Sequence, residues 1–232
     1  MVRERLKNII NGLIGLFDLK VVNKSQRYIF EVGDYYKYFA TRESKTATGF
    51  DGEPIAWMTY PALEYLNQFN FKAKTILEFG SGNSTIWLSK KCKEIVSIET
   101  DMKWYDYVNA SKPNNAEIIH TNRESIADTA TSLNRKFDIV VNDSYQRERV
   151  IEVIDHLLNV DGILIFDNSD RYPDSCKKLR EKGFLQVDFK GFGPINKYTW
   201  TTSVFFSSLK NIELLSIQPT LSKGNEHEYS KY

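Results

Sequence analysis

A doubly wound α/β fold with a mostly parallel sheet is what this sequence predicts, and three patterns predict it. From about residue 73 onward, short apolar runs alternate with helical stretches, a βα repetition that places parallel strands in one sheet with helices on both faces. The first apolar run ends in the turn Gly80-Ser81-Gly82 and opens a helix. In that arrangement a bare backbone loop and the free N–H groups of a helix start can approach a nucleotide cofactor. Near the end, two strand-like runs, 185–189 and 202–206, are joined by the connection 190–201 without a helical pattern. That connection predicts an antiparallel pair at the C-terminal end of the sheet.

The elements follow in order. Residues 1–24 carry Leu6, Ile9, Ile10, Leu13, Ile14 and Phe17 at helical spacing, with Arg3, Arg5, Lys7, Lys20 and Lys24 around them. This amphipathic helix packs on the domain or a partner chain, or lies at a membrane surface; Gly12 and Gly15 weaken it in isolation. Residues 25–72 read as a connector or lid, irregular through 25–53, followed by a helix that begins near Thr59 or Tyr60 with Pro61 in its first turn. Strands are expected at 75–79, 94–99, 116–120, 138–142 and 162–166, and helices at 83–91, 102–110, 123–133 and 147–158. His156 falls among Ile151, Ile154, Leu157 and Leu158, which predicts a structural place on an apolar helix face. Residues 211–232 read as a polar tail.

Composition bounds the function. The chain has 232 residues, 41% of them hydrophobic, enough for one domain with a real core. Lys and Arg number 31 against 30 Asp and Glu, so no global basic excess points to nucleic acid. Cys92 and Cys176 form no disulfide framework, which suits a reducing cytosol. No apolar run reaches the roughly 18–20 residues needed to span a bilayer. The expectation is a cytoplasmic protein, with residues 1–24 as its route to a membrane's inner face or to another protein.

In such sheets ligands bind outside the carboxyl ends of the strands, so the residues there carry the chemistry. A dinucleotide fingerprint would place glycine at position 85, where Thr85 stands. With Glu78 two residues before Gly80, the pattern is Glu-x-Gly-x-Gly-x-Ser. Here the chain resembles the class I S-adenosylmethionine-dependent methyltransferases, which share a Rossmann-like sheet. The resemblance implies that Glu78 lies near the amino-acid end of S-adenosylmethionine, bound also by Gly80 and Gly82. Ser84 and Thr85 serve the helix start or the cofactor carboxylate. The residues alone also allow a tight turn with a helix cap. Glu99 ends the second strand 17 residues after Gly82, close to the ~20 expected for a carboxylate on ribose hydroxyls; Asp101 competes with it but suits a helix cap. Asn122, after the third strand, borders the adenine in the family and is equally a cap.

Asp143 follows the fourth strand, and Asp167-Asn168 the fifth. Three oxygen ligands at neighbouring strand ends suit Mg²⁺; they also suit caps and turns without metal. The arrangement resembles the cation-dependent O-methyltransferases of the catechol and caffeoyl-CoA type, which implies metal binding by Asp143, Asp167 and Asn168. Those enzymes carry a catalytic Lys three residues after the first metal Asp, and Gln146 stands there. Either a metal acidifies the acceptor hydroxyl at Asp143, or another group removes the proton; His120 and Lys197 are candidates. Asn142-Asp143-Ser144-Tyr145 matches the Asn-Pro-Pro-Tyr motif of amino-group methyltransferases only poorly, lacking both prolines. Residues 190–201 are the expected substrate wall, with Trp200 and Tyr198 either in it or in the core, and Asp170-Arg171-Tyr172 beside it.

The reading is therefore a methyltransferase domain over 73–210 that O-methylates a small molecule or a surface-glycan sugar. The glycan is suggested by the basic leader helix, which is similar to those of glycan-assembly enzymes. The alternatives are a dinucleotide-dependent oxidoreductase or a non-catalytic cofactor-binding protein of the same fold.

Overall fold

The computed structural model describes residues 35–208 together with Arg5, Leu6, Ile10, Gly33 and Leu215. The expected helix over 1–24 and the tail over 211–232 otherwise lie outside the described residues.

One seven-stranded sheet organises the rest. Its strands are β1 (Thr75–Phe79), β2 (Glu94–Glu99), β3 (Ala116–His120), β4 (Phe137–Asn142), β5 (Leu158–Asp167), β6 (Leu185–Gly191) and β7 (Trp200–Phe206). They lie in the order β3-β2-β1-β4-β5-β7-β6. The first five pair in parallel, while β7 runs antiparallel to both β5 and β6. This is the expected Rossmann-like sheet with its antiparallel C-terminal pair. The chain leaves β1 towards β2 on one side and returns to β4 on the other. The point where the order reverses, between β1 and β4, is where doubly wound sheets hold ligands.

The central strands read as continuous apolar runs because helices cover both faces. The helices are α1 (Tyr38–Ser44), α2 (Tyr60–Leu66), α3 (Asn83–Ser89), α4 (Met102–Ser111), α5 (Ile126–Ser132), α6 (Arg147–Glu152), α7 (Ile154–Leu157) and α8 (Pro173–Glu181). On one face Ile76, Ile95, Ile139 and Ile165 pack against Leu63 and Leu66 of α2 and Trp87 and Leu88 of α3. On the other, Leu77, Phe79, Val140 and Leu164 meet Ile126 of α5, Val150 of α6, Leu157 of α7 and Leu179 of α8.

Four expectations change. The segment read as an irregular lid contains α1, seated between left-handed Lys37 and Lys45. The helix expected over 147–158 breaks at Val153 and its last residue joins β5. There Leu158 pairs with Phe137, and the Asn159 side-chain amide donates to Asp138 at 3.1 Å. With that break, His156 turns outward and is exposed, not packed on an apolar face. Helix α8 was not anticipated: seven of its nine residues, Pro173 to Glu181, are polar or proline, and only Cys176 and Leu179 mark a stripe. No helix among the described residues is long and apolar enough to cross a membrane.

If α8 is integral to the core, Leu179→Ala will destabilise the protein by about 2–5 kcal/mol, the cost of truncating a fully buried leucine. Urea unfolding measures this, and a loss under about 1 kcal/mol would make α8 a peripheral helix.

Candidate active site

A cleft of about 680 Å³ opens over the carboxyl ends of β1, β2, β4 and β5, a size ordinary for a small-molecule site. Three buried carboxylates shape it.

Glu78, at the end of β1, is buried. Its Oε2 accepts from the hydroxyls of Thr85 at 2.5 Å and Ser97 at 2.6 Å. Thr85 Oγ1 in turn accepts from the Gly82 N–H at 3.0 Å. Burial drives the Glu78 pKa up, opposed by the hydroxyls of Ser84, Ser97 and Thr85. The network ties the glycine turn to the strand beneath it. Gly80 alone of the two loop glycines has a left-handed backbone, at φ 97°, and a Cβ there would sit 3.2 Å from the Asp143 carbonyl. Gly82 is extended, so of the two only Gly80 needs the conformational freedom of glycine.

Glu99 ends β2. Its Oε2 accepts from the Ser81 N–H at 2.8 Å and hydroxyl at 3.0 Å, and its Oε1 from the N–H groups of Thr100 at 2.7 Å and Asp101 at 2.8 Å. Both oxygens are filled, and the Ser81 hydroxyl is the one rotatable donor of the four. Asp101 caps α4 through the Trp104 N–H at 3.0 Å. The Trp104 indole donates to the Ser81 carbonyl, and its ring stacks with Tyr107 on the cleft's rim.

Asp143, Asp167 and Asn168 do converge, and Arg147 occupies the space between them. Its Nε donates to the Asp167 carbonyl at 3.0 Å, its Nη2 to Asn168 Oδ1 at 2.9 Å and to Asp143 Oδ1, and its Nη1 to the Ser144 carbonyl. The Asp167 carboxylate turns the other way: Oδ1 accepts from the Trp200 indole at 2.9 Å and the Thr202 hydroxyl at 2.5 Å. Burial and the neighbouring Asp143 push Asp167 up to about 7. Burial raises Asp143 to about 6, with Arg147 holding it lower than burial alone would. Asp143 lies deep in the concavity, yet 41% of its side-chain surface reaches the cleft's solvent, against 11% for Arg147.

These residues do not fit the Mg²⁺ that the resemblance implies. A guanidinium already bonds the oxygens of Asp143 and Asn168, and Asp167 Oδ1 is taken by two donors. Among the described residues no group of three or more His, Cys, Asp or Glu is arranged to hold a metal ion.

Of the other expected site residues, Gly80, Gly82 and Ser84 line the cleft. Thr85 is buried beneath it, its hydroxyl spent on Glu78 and Gly82. Asn122 is not in the lining; its Oδ1 accepts from the Ser125 N–H at 2.8 Å, a turn bond. His120 lies outside the lining against Tyr105, because β3 is the edge strand, one step farther than β2 from the β1/β4 reversal. Lys197 is exposed and outside the lining. The connection 190–201 supplies Ile195, Asn196, Tyr198 and Trp200 to the wall; Trp200 is buried and Tyr198 is 51% exposed. Sequence reasoning passed over Lys45 and Trp57, which also line the cleft, and the structural place of Arg147. For Arg147 a signal existed: it stands four residues after Asp143 on the first turn of a helix, where such pairs meet.

The sequence matches no protein-family profile and no curated protein. Solved structures do resemble it. A precorrin-6y C5,15-methyltransferase from Geobacter metallireducens aligns at 12% identity over 67% of this chain and 94% of that one, with a TM-score of 0.50. A putative caffeoyl-CoA O-methyltransferase from Staphylococcus aureus aligns at 14% identity over 87% of this chain and 92% of that one, with a TM-score of 0.48. TYW2 from M. jannaschii, solved in complex with AdoMet, aligns at 18% identity over 62% and 73%, with a TM-score of 0.45. At these identities the likeness is one of fold. The chain shares a Rossmann-like fold with these structures.

Asp167 gives this site a pH signature. Its folded pKa lies above the ordinary carboxylate value. Between about pH 4 and pH 7 the folded chain therefore binds more protons than the unfolded one, and this group's contribution to stability falls as pH rises. Asp167→Asn removes that term, so its melting temperature should fall less, or rise more, than the wild type's between pH 5 and pH 7.5. Parallel melting curves would show that Asp167 titrates normally.

Proposed function

We propose that this chain is an S-adenosylmethionine-dependent methyltransferase that methylates a hydroxyl of a small molecule or surface-glycan sugar. The observation that carries the cofactor assignment is the glycine turn at the β1/β4 reversal, with Glu78 and Glu99 on its two sides and open cleft above it. Gly80 keeps the turn low and free of side chain, and Glu99 faces it from β2 as the acceptor for ribose hydroxyls. Bound S-adenosylmethionine supplies an electrophilic methyl group on a sulfonium. The protein's tasks are then to align an acceptor oxygen with that carbon and to take its proton.

Asp143 is the group placed to take the proton. It is the solvent-reaching carboxylate at the end of β4, beside the β1 turn, and its raised pKa brings it nearer the range of a working base. His120 and Lys197 lie off the cleft and have no part in this reading. With S-adenosylmethionine held over the glycine turn and Glu99 as methyl donor, an Asp143 oxygen would take the acceptor's hydroxyl proton as its oxygen is methylated. Trp57 and Tyr198, 45% and 51% exposed in the cleft lining, support a sugar acceptor. Aromatic faces with amide groups such as Asn196 and Asn168 alongside match a ring with an apolar face and hydroxyls at its edge. The resemblance to cation-dependent enzymes adds no metal here, because Arg147 holds the oxygens.

Isothermal titration calorimetry with S-adenosylmethionine and with NADH tests the reading. S-adenosylmethionine should bind and NADH should not. Glu99→Ala should weaken S-adenosylmethionine binding by about tenfold or more, the scale of a lost charge-assisted hydrogen bond, with Glu99→Gln in between. Absent binding, or equal affinity in Glu99→Ala, would overturn the assignment.

A further inference from the structure

The carboxylates and carbonyls at the ends of β4 and β5 have the composition of a hard-cation site, and a side chain of the same chain fills it. We propose that Arg147 is a built-in cation, a positioning residue that takes the place of a divalent metal and makes methyl transfer by this chain independent of one. The activity part of this inference rests on the methyltransferase reading; the metal-binding part does not.

Four acceptors from two strand ends meet one guanidinium: Asp143 Oδ1 and the Ser144 carbonyl after β4, and the Asp167 carbonyl and Asn168 Oδ1 after β5. A guanidinium presents five N–H donors in a rigid plane, so the plane sets where each acceptor sits, much as a coordination shell would. A lysine, a single flexible point charge, could not hold all four at once. The backbone of Arg147 is itself fixed, because its carbonyl accepts from the Asn142 side-chain amide at 2.9 Å. The ring of Tyr172 lies 5.7 Å from the guanidinium carbon on the far side. Asn168 takes the left-handed conformation, φ 55°, that swings its amide towards Arg147, a backbone region asparagine tolerates better than most residues.

Charge balance argues the same way. Asp143 feels the negative charges of Glu78 and Glu99 and in turn acts on Asp167, and Arg147 is the cation bonded to Asp143 and to the Asp167 carbonyl. Removing its charge leaves a cluster of oxygens without compensation, the condition in which a divalent cation binds. The guanidinium bonds only Oδ1 of Asp143, and Asp143 lines the cleft with 41% of its side chain exposed, where an acceptor hydroxyl would need its other oxygen.

The test uses the full chain freed of metal with EDTA and Mn²⁺ as the probe. Electron paramagnetic resonance should detect no bound Mn²⁺ at this site in the wild type. Arg147→Ala should acquire a site at least about tenfold tighter than any in the wild type, the scale on which ligand-shell changes alter metal affinity. Arg147→Ala combined with Asp143→Asn should lose it again, and Arg147→Lys, which keeps the charge, should not gain it. A melting curve on each variant verifies folding. In parallel, methyl transfer from S-adenosylmethionine to a glycan extract should be unaffected by EDTA in the wild type. It should fall in Arg147→Ala and recover in part on adding guanidinium, which a purely structural arginine would not allow. Mn²⁺ bound as tightly by the wild type as by Arg147→Ala overturns the inference. So does a folded Arg147→Ala that gains no site, or wild-type transfer abolished by EDTA and restored by Mg²⁺. If no transfer occurs and S-adenosylmethionine does not bind, the methyltransferase reading fails while the Mn²⁺ comparison still decides the cation.

Discussion

Burying carboxylates is the constraint on which this structure turns. Glu78, Glu99 and Asp167 all lie almost out of reach of solvent at the carboxyl ends of β1, β2 and β5, where an ionised or unsatisfied acid is costly. Each is therefore met by dedicated donors, and those donors come from the segments that must be held in place. Glu78 recruits Thr85 and Ser97, and through Thr85 the turn N–H of Gly82. Glu99 recruits both donors of Ser81 and two backbone N–H groups of the turn after β2. The glycine loop is thus stretched between two acids, and its shape is set before any ligand arrives. Preorganisation of this kind lowers the ordering cost of binding.

Asp167 extends the same logic to the other half of the molecule. Its donors, Trp200 and Thr202, belong to the antiparallel strand β7. Thr202 also accepts from the Thr59 N–H at 3.1 Å, and Thr59 donates to the Phe189 carbonyl at 2.9 Å. The Tyr60 N–H donates to the Phe192 carbonyl at 2.7 Å, and the Tyr38 hydroxyl to the Asn196 carbonyl at 2.8 Å. Gly193 permits this crossing, since a Cβ there would come within 2.3 Å of the Met58 carbonyl. Ile195 is held at φ 69°, a region β-branched residues avoid at a cost of about 1–3 kcal/mol; the bond from its N–H to Thr41 Oγ1 at 3.2 Å helps keep it there. Strain placed in the wall of a cleft is the kind that a binding site retains.

Legibility in the sequence followed the range of the physics. Strands buried on both faces announce themselves as apolar runs, and β1, β2 and β3 have the bounds their runs predict. The glycine turn and the acids at the strand ends were equally plain, because each depends on residues a few positions apart. Helix α8 escaped because its buried stripe is only Cys176 and Leu179 in a polar stretch. Helix α1 escaped because Tyr38 is anchored by the distant late connection, at the Phe192 ring and the Asn196 carbonyl. The break at Val153 escaped because pairing of Leu158 with Phe137, a distant partner, overrides the local helical period.

The sequence alone determined the sheet, the glycine loop at the end of β1, and which oxygens gather at the strand ends. Only the tertiary structure decided what those oxygens do. Asp167 turns to Trp200 and Thr202, Arg147 enters the space between Asp143 and Asn168, and His120, Asn122 and Lys197 point their chemistry elsewhere. The reason is that backbone periodicity is local, whereas the direction of a polar side chain is set by whichever donor the fold delivers to it. Here those donors come from as far as 35 residues away along the chain.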